Sequence, residues 1–235
     1  MTDTVHRPVE RDEVSTLILA AGSGTRFGQS KAFLECDGET LLERVVEQAA
    51  MFADEVLVGL CREDVGRVPP SVHRSPVVVV NGGETRHATV EALLARATRP
   101  LVLLHEVARP LAPPALFAAV LQAAQAHGAA ASYVLASPRD SVALEDGGFL
   151  VAALPRDRVV QLQTPQAFRR EWLVDVFRRL QGRMLQQVSS VPPLFVEAGY
   201  RVRLVPGSPD NMKITFPEDW EIVRAKLSTE GLSGA

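Results

Sequence analysis

Cysteine is scarce: there are 2 in 235 residues, Cys36 and Cys61, far apart and in no C-x-x-C pattern. That excludes a disulfide framework or a zinc knuckle and fits a reducing compartment. With no neighbouring pattern to activate them, both read as packed or surface residues rather than nucleophiles. A charge excess of one sign is also missing. Lys and Arg number 25 against 28 Asp and Glu, a formal net charge of −3, so nothing here resembles a nucleic-acid footprint. No apolar stretch is long enough to span a bilayer. The opening MTDTVHRPVERDEV lacks the apolar centre of a signal peptide. The expectation is a cytoplasmic protein with no nucleic acid or membrane partner, its ends flexible over 1–13 and 228–235.

What is present is ordinary globular material, 46% hydrophobic and 23% charged, enough for a single domain over residues 14–227. Val14–Ala20 is a continuous apolar run, as in a strand buried on both faces. Further strands are expected at Glu55–Leu60, Val77–Val80, Leu101–Leu104, Ala131–Leu135, Val159–Gln163 and Val202–Val205. Between them, Thr40 and Glu43 form a capping-box pattern. Leu41, Leu42, Val45, Val46 and Ala49 then keep helical spacing. Helices are also expected around Val90–Ala97, Leu116–Ala126, Trp172–Leu180 and from Pro217 to about Leu227. Met184–Ala198 reads as partly helical, interrupted by Pro192-Pro193. Such alternation predicts an α/β fold, a mostly parallel twisted sheet with helices on both faces. The alternation breaks once, over about 139–158, where Ser141–Glu145 and Phe149–Ala153 flank Asp146-Gly147-Gly148 as a protruding β-hairpin arm.

The stretch after the first strand, Gly22-Ser23-Gly24-Thr25-Arg26-Phe27-Gly28, sits where open α/β sheets collect ligands. Glycines let backbone N–H groups approach a phosphate, and Arg26 and Lys31 add positive charge. The dinucleotide fingerprint does not fit, because the third glycine comes one residue late. The phosphate loop of NTPases does not fit either, because Lys31 follows Ser30 well beyond the last glycine. Four more segments lie at or near strand ends. They are Gly82-Gly83-Glu84-Thr85-Arg86, His105-Glu106-Val107-Ala108-Arg109-Pro110, Gln163-Thr164-Pro165-Gln166, which follows a strand, and Asn211-Met212-Lys213-Ile214-Thr215. Together they can converge on one rim of the sheet.

Taken in order, these five segments resemble the signatures of the 2-C-methyl-D-erythritol 4-phosphate cytidylyltransferase family, A-A-G-x-G-x-R-x-G, G-G-x-x-R-x-x-S-V, H-D-A-A-R-P, T-P-Q and N-x-K-I-T. The resemblance runs from Leu17 to about Asp219. It implies a Rossmann-like nucleotidyltransferase fold, CTP as substrate, a polyol phosphate acceptor, Mg²⁺ and release of pyrophosphate. Carried over by motif, Arg26 and Lys31 grip the CTP phosphates and Lys213 stabilises the transition state. Ala20, Ala21, Gly22 and Gly24 cradle the nucleotide, and Gly83, Glu84 and Thr89 meet the cytosine side. Glu106 ligates Mg²⁺, and Arg109 and Thr164 contact the second substrate. The resemblance also implies a homodimer in which the arm reaches the partner, so that Ser141 and Arg156 complete the neighbouring site.

The sequence departs from the pattern at several points. Glu106-Val107 stands for Asp-Ala, Thr89 for Ser, and Ser30 for the proline often found before the lysine. Between Met184 and Ala198, Ser189-Ser190-Val191-Pro192-Pro193 replaces T-D-[DE]-A, which keeps one hydroxyl at Ser189 and loses the acidic pair. Three readings stay open here. They are the methylerythritol phosphate enzyme of isoprenoid precursor biosynthesis, a cytidylyltransferase for another polyol phosphate such as ribitol 5-phosphate, and a catalytically weak nucleotide-binding relative. Retention of Arg26, Lys31, Arg109 and Lys213 argues against the last, since converging cations repel one another without a polyanion.

Overall fold

Six consecutive buried residues, Val14–Leu19 (β1), run through the middle of the sheet with neighbours on both sides. The computed structural model describes residues 8–22, 27–72, 75–137, 139–180 and 189–232, with residues 230–232 as backbone only. After β1 come a small ribbon, Glu35–Cys36 (β2) with Glu39–Thr40 (β3), and the helix Leu41–Ala50 (α1). Strands Glu55–Leu60 (β4), Ser71–Val72 (β5) and Ser75–Asn81 (β6) lead to the helix Arg86–Leu94 (α2). Leu101–Glu106 (β7), the helix Pro114–His127 (α3) and Ala129–Leu135 (β8) follow. The arm is Val142–Asp146 (β9) with Phe149–Leu154 (β10), after which the chain re-enters the sheet as Val160–Arg169 (β11). Arg170–Arg179 (α4), Val191–Glu197 (α5), Arg203–Pro206 (β12) and Pro217–Leu232 (α6) complete the described elements.

The main sheet has the order β12-β8-β11-β7-β1-β4-β6-β5. Parallel pairing joins β1 to β4 and β7, β4 to β6, and β8 to β12. Strand β11 runs the other way, antiparallel to both β7 and β8. The arm explains the reversal. A parallel return needs a crossover, usually a helix, whereas the chain leaving β8 passes only through a hairpin and comes back beside the strand it left. The same reversal corrects the placement of Thr164-Pro165-Gln166. These residues lie inside β11, at a register break between Leu162 and Gln166, rather than after a strand.

Side-chain alternation along the strands divides the core. Leu17, Leu19, Leu57, Val102 and Leu104 pack beneath α2, α4 and α5. On the opposite face Ile18, Val56 and Val58 meet α1 and α6, while Val14, Leu101 and Leu103 meet α3. The helices thus cover both faces, as the alternation of segments implies. The capping box of α1 is formed: Thr40 Oγ1 accepts from the Glu43 N–H at 3.2 Å, and the Glu43 carboxylate accepts from the Thr40 N–H at 2.8 Å. Two expectations change. Of the stretch Met184–Ala198, residues 184–188 lie outside the described residues; in the rest, Pro192 and Pro193 stand in the first turn of α5, which loses nothing by lacking N–H donors. Helix α6 continues past Leu227 to Leu232.

Gly128 ends α3 in the left-handed region, φ +85°, and its N–H donates to Ala124 O at 2.7 Å. A Cβ at this position would fall inside the Trp172 ring, which packs on the core beneath α4. Gly128→Ala therefore combines an unfavourable φ with overpacking. It should lower stability by about 2 kcal/mol or more, read as an earlier urea midpoint. A midpoint equal to that of the unaltered chain would refute this account of the α3 terminus.

Candidate active site

Strand order reverses beside β1: the chain builds β4 and β6 on one side, then β7 on the other. Such a reversal opens a crevice at the carboxyl ends of the strands. A cleft of about 770 Å³ lies there. Its walls come from the segments following β1, β4, β6 and β7, and include Ala20, Ala21 and Gly22, Gly83 and Glu84, Glu106, Lys31 and Lys213. A second cleft, of about 610 Å³, adjoins it around Arg109, Gln163 and Asn211 and shares Lys213 with the first.

Glu106, the last residue of β7, is buried and carries three ion pairs. Lys213 Nζ lies 2.8 Å and Arg86 Nε 3.3 Å from its Oε1, and Arg109 Nε lies 3.4 Å from its Oε2. Burial pushes the Glu106 carboxyl up, but Arg86, Lys213 and Arg109 outweigh it and hold the group at about 2. Lys213 keeps a side chain 42% exposed, so its ammonium can turn toward a ligand in either cleft. Arg86 Nη1 is buried without a hydrogen-bond partner among the described residues.

The backbone around these charges is pinned by buried polar side chains. The Glu106 N–H donates to Thr164 Oγ1 at 3.2 Å, and the Arg109 guanidinium donates to the carbonyl of Asn211 at 2.7 Å. Asn211, itself fully buried, donates through Nδ2 to Thr164 O at 2.8 Å. Gln163 Nε2 donates to Ser208 O at 2.9 Å. The end of β7, the break in β11 and the loop after β12 are thereby tied together. His105, fully buried, lies 3.1 Å through Nε2 from Arg109 O. Burial lowers its pKa to about 4, so the ring is neutral and works as a brace. On the opposite wall Thr89 Oγ1 donates to Thr85 O at 3.0 Å and accepts from the Gly83 N–H at 3.2 Å. A Cβ on Gly83 would run into Ala88, so that turn needs glycine to fold so tightly.

Of the residues expected from the sequence, Ala20, Ala21, Gly22, Lys31, Gly83, Glu84, Thr89, Glu106 and Lys213 line the first cleft, and Arg109 lines the second. Gly24 and Arg26 lie outside the described residues. Thr164 is buried, with its hydroxyl engaged by the Glu106 backbone. Ser141, Arg156 and Ser189 line neither cleft of their own chain; Arg156 donates instead to Arg139 O at 2.8 Å. Arg86, Gln163 and Asn211 emerge only from the structure. Their signal in the sequence was a polar residue fixed beside an apolar strand end, within segments already singled out.

Comparison with known proteins points one way. A sequence model of the family 2-C-methyl-D-erythritol 4-phosphate cytidylyltransferase (IspD) matches residues 14–229. A Thermus thermophilus protein of that description is 41% identical over 91% of this chain and 96% of its own length. One from Deinococcus radiodurans is 38% identical over 90% of this chain and 88% of its own. Among solved structures, the Thermus thermophilus enzyme superposes with a TM-score of 0.74 at 38% identity, covering 91% of this chain and 98% of that one. The 4-diphosphocytidyl-2C-methyl-D-erythritol synthase of Anaerococcus prevotii gives 0.80 at 25% identity, covering 93% and 100%.

The charge cluster has a pH signature. A carboxyl held at about 2 in the fold, against an ordinary 4.5, stabilises the fold above its ordinary pKa. That contribution is lost as pH falls through about 2. The unaltered chain should therefore unfold at a higher temperature than Glu106→Gln at neutral pH, by a margin that shrinks from about pH 5 downward. A margin that stays constant on acidification would show that the three cations do not hold Glu106 ionised.

Proposed function

The chain belongs to the 2-C-methyl-D-erythritol 4-phosphate cytidylyltransferase family, and from that premise we propose how its clefts divide the work. The enzyme joins CTP to 2-C-methyl-D-erythritol 4-phosphate and releases pyrophosphate. An oxygen of the acceptor's phosphate attacks the α-phosphorus of CTP. One P–O bond forms, the bond to the β-phosphate bridge breaks, and pyrophosphate leaves with the electron pair. The nucleophile is already anionic, so no general base is required. The barrier is the approach of two anions and the charge on the transferring group, and positioning with electrostatics lowers it.

In this reading the triphosphate lies in the first cleft, over the backbone from Ala20 through Gly24, gripped by Arg26 and Lys31. The base turns toward Gly83 and Glu84, whose turn Thr89 holds from behind. The acceptor lies on the Arg109 side, and Lys213, shared by both clefts, faces the reacting phosphorus. The observation that carries this reading is the meeting of Lys31, Lys213, Gly22 and the Gly82-Gly83 turn at the strand-order reversal. A triphosphate brings more negative charge than the Glu106 carboxylate it competes with, so Lys213 transfers its contact to substrate on binding.

Among the described residues no group of three or more His, Cys, Asp or Glu side chains converges to make a metal cage. Mg²⁺ needs none: one or two carboxylates with phosphate oxygens and waters suffice. Glu106, buried and ionised, fits as that carboxylate. Bound there, the cation would supply charge neutralisation on the triphosphate.

The arm supports a homodimer. Phe149 and Leu150 are 78% and 75% exposed in the single chain, beside exposed Val151 and Leu144, a patch that a second copy covers. Ser141 and Arg156, at the base of the arm, would then serve the neighbouring acceptor site. Two free cysteines are consistent with a cytoplasmic setting, and no described helix is long and apolar enough to cross a membrane.

Pyrophosphate release from CTP with Mg²⁺ tests the reading. Methylerythritol phosphate should support turnover and ribitol 5-phosphate should not; the reverse result would reassign the acceptor. Lys213→Ala should cost on the order of 100-fold in kcat without loss of the folded state. An unchanged kcat would remove Lys213 from the chemistry. Mass measured in solution should be twice the 25.5 kDa of one chain, and a strict monomer at working concentration would exclude a site shared between subunits.

A further inference from the structure

Lys31 enters the nucleotide cleft from a single 3-10 turn, Lys31–Phe33, entered through extended Ser30. So short a turn closes little of its own, one N–H from Leu34 to Lys31 O at 3.2 Å. Its rigidity must come from outside. Buried Ala32 anchors the turn on the core beneath α1, and from the segment Arg62–Arg67, which follows β4, Arg67 reaches its Phe33. The Arg67 guanidinium stacks over the Phe33 ring, 3.6 Å from its centroid. Arg67 Nη1 also donates to Asp64 Oδ1 at 2.9 Å.

Asp64 is the unexpected member. It is 5% exposed and does not line the cleft. A buried carboxylate is costly unless its oxygens are filled, and the groups around this one flank the nucleotide cleft: Cys61 lines it, Ser30 immediately precedes the cleft residue Lys31, and Arg67 stacks on Phe33 of the same turn. Cys61, a cleft residue, donates its thiol to Asp64 Oδ2 at 3.1 Å. The Ser30 hydroxyl, buried with no fully formed hydrogen bond, lies beside the same carboxylate. Burial and the Asp64 charge push the Cys61 thiol up to about 11, so it keeps the proton it donates.

We propose that Asp64 is a positioning residue for the nucleotide half-reaction: it fixes Arg67, Arg67 clamps Phe33, and Phe33 sets the turn from which Lys31 meets the triphosphate. The stretch Cys61–Arg67 is thus a brace for the phosphate grip rather than a passive link between β4 and β6. The inference rests on the assignment of Lys31 to the CTP phosphates.

A double-mutant cycle tests both, with pyrophosphate release followed against CTP and against methylerythritol phosphate in the full-length enzyme. Asp64→Asn and Arg67→Gln should each lower kcat/KM for CTP on the order of tenfold and leave the acceptor KM unchanged. On a Lys31→Ala background neither should cost anything more. The Arg67 side chain is 53% exposed, so Arg67→Gln folds even where Asp64→Asn does not. Equal losses with and without Lys31, or equal effects on both substrates, would mean that the segment only supports the fold, and the proposal fails. CTP kinetics unchanged by Lys31→Ala alone would instead remove the premise, a result distinguishable from failure of the brace.

Discussion

One carboxylate carries the arrangement of the site. Arg86 comes from the start of α2, Arg109 from the turn after β7, and Lys213 from the loop after β12, and all three meet on Glu106. Three cations at this spacing repel one another, and burying them apart from water adds a desolvation cost. Glu106 offsets both by offering two oxygens to the three cations, which are held in position by it. In the proposed reading a substrate phosphate has only to take over contacts already aimed. This is electrostatic preorganisation in its simplest form. A glutamate, one methylene longer than aspartate, suits a carboxylate that must reach three separate segments while its own N–H is held by Thr164.

The charges stay in place because the backbone beneath them is locked. Hydrogen bonds of buried Asn211, Gln163 and Thr164 join three stretches distant in sequence, the end of β7, the break in β11 and the loop after β12. An unpaired polar group at such depth is penalised heavily, so each bond specifies the others. The loop holding Lys213 thus has its position set by β11, and β11 is set by the antiparallel return from the arm.

Much of this was legible in the sequence, for identifiable reasons. Val14–Leu19 is apolar without interruption because both its faces are covered, and the Thr40–Glu43 box declares its helix through two local hydrogen bonds. The hairpin declares itself through its turn. Short-range physics reads directly from short stretches. The direction of β11 does not, because Val160–Arg169 has the composition of any buried strand, and its sense follows from the lack, among the described residues, of an α-helical crossover between β8 and β11. Arg86 escaped for a related reason: its partner lies 20 residues away, across two elements. Thr164 is expected at the second substrate from its T-P-Q motif; in the fold its hydroxyl accepts the Glu106 N–H, which leaves its own proton free to donate.

The two halves of the site are built to different degrees within one chain. The nucleotide half is walled by strand ends and tight turns, with Lys31 and Lys213 on one cleft. On the side proposed for the acceptor, Arg109 and Lys213 line the second cleft, whereas Ser141, Arg156 and Ser189 do not. A polyol phosphate has several hydroxyls to satisfy besides its phosphate, and the same cleft offers Tyr133, Gln161 and Gln163 beside the two cations. In the proposed dimer the arm, which carries exposed apolar side chains away from its own core, would bring Ser141 and Arg156 to the neighbouring acceptor side.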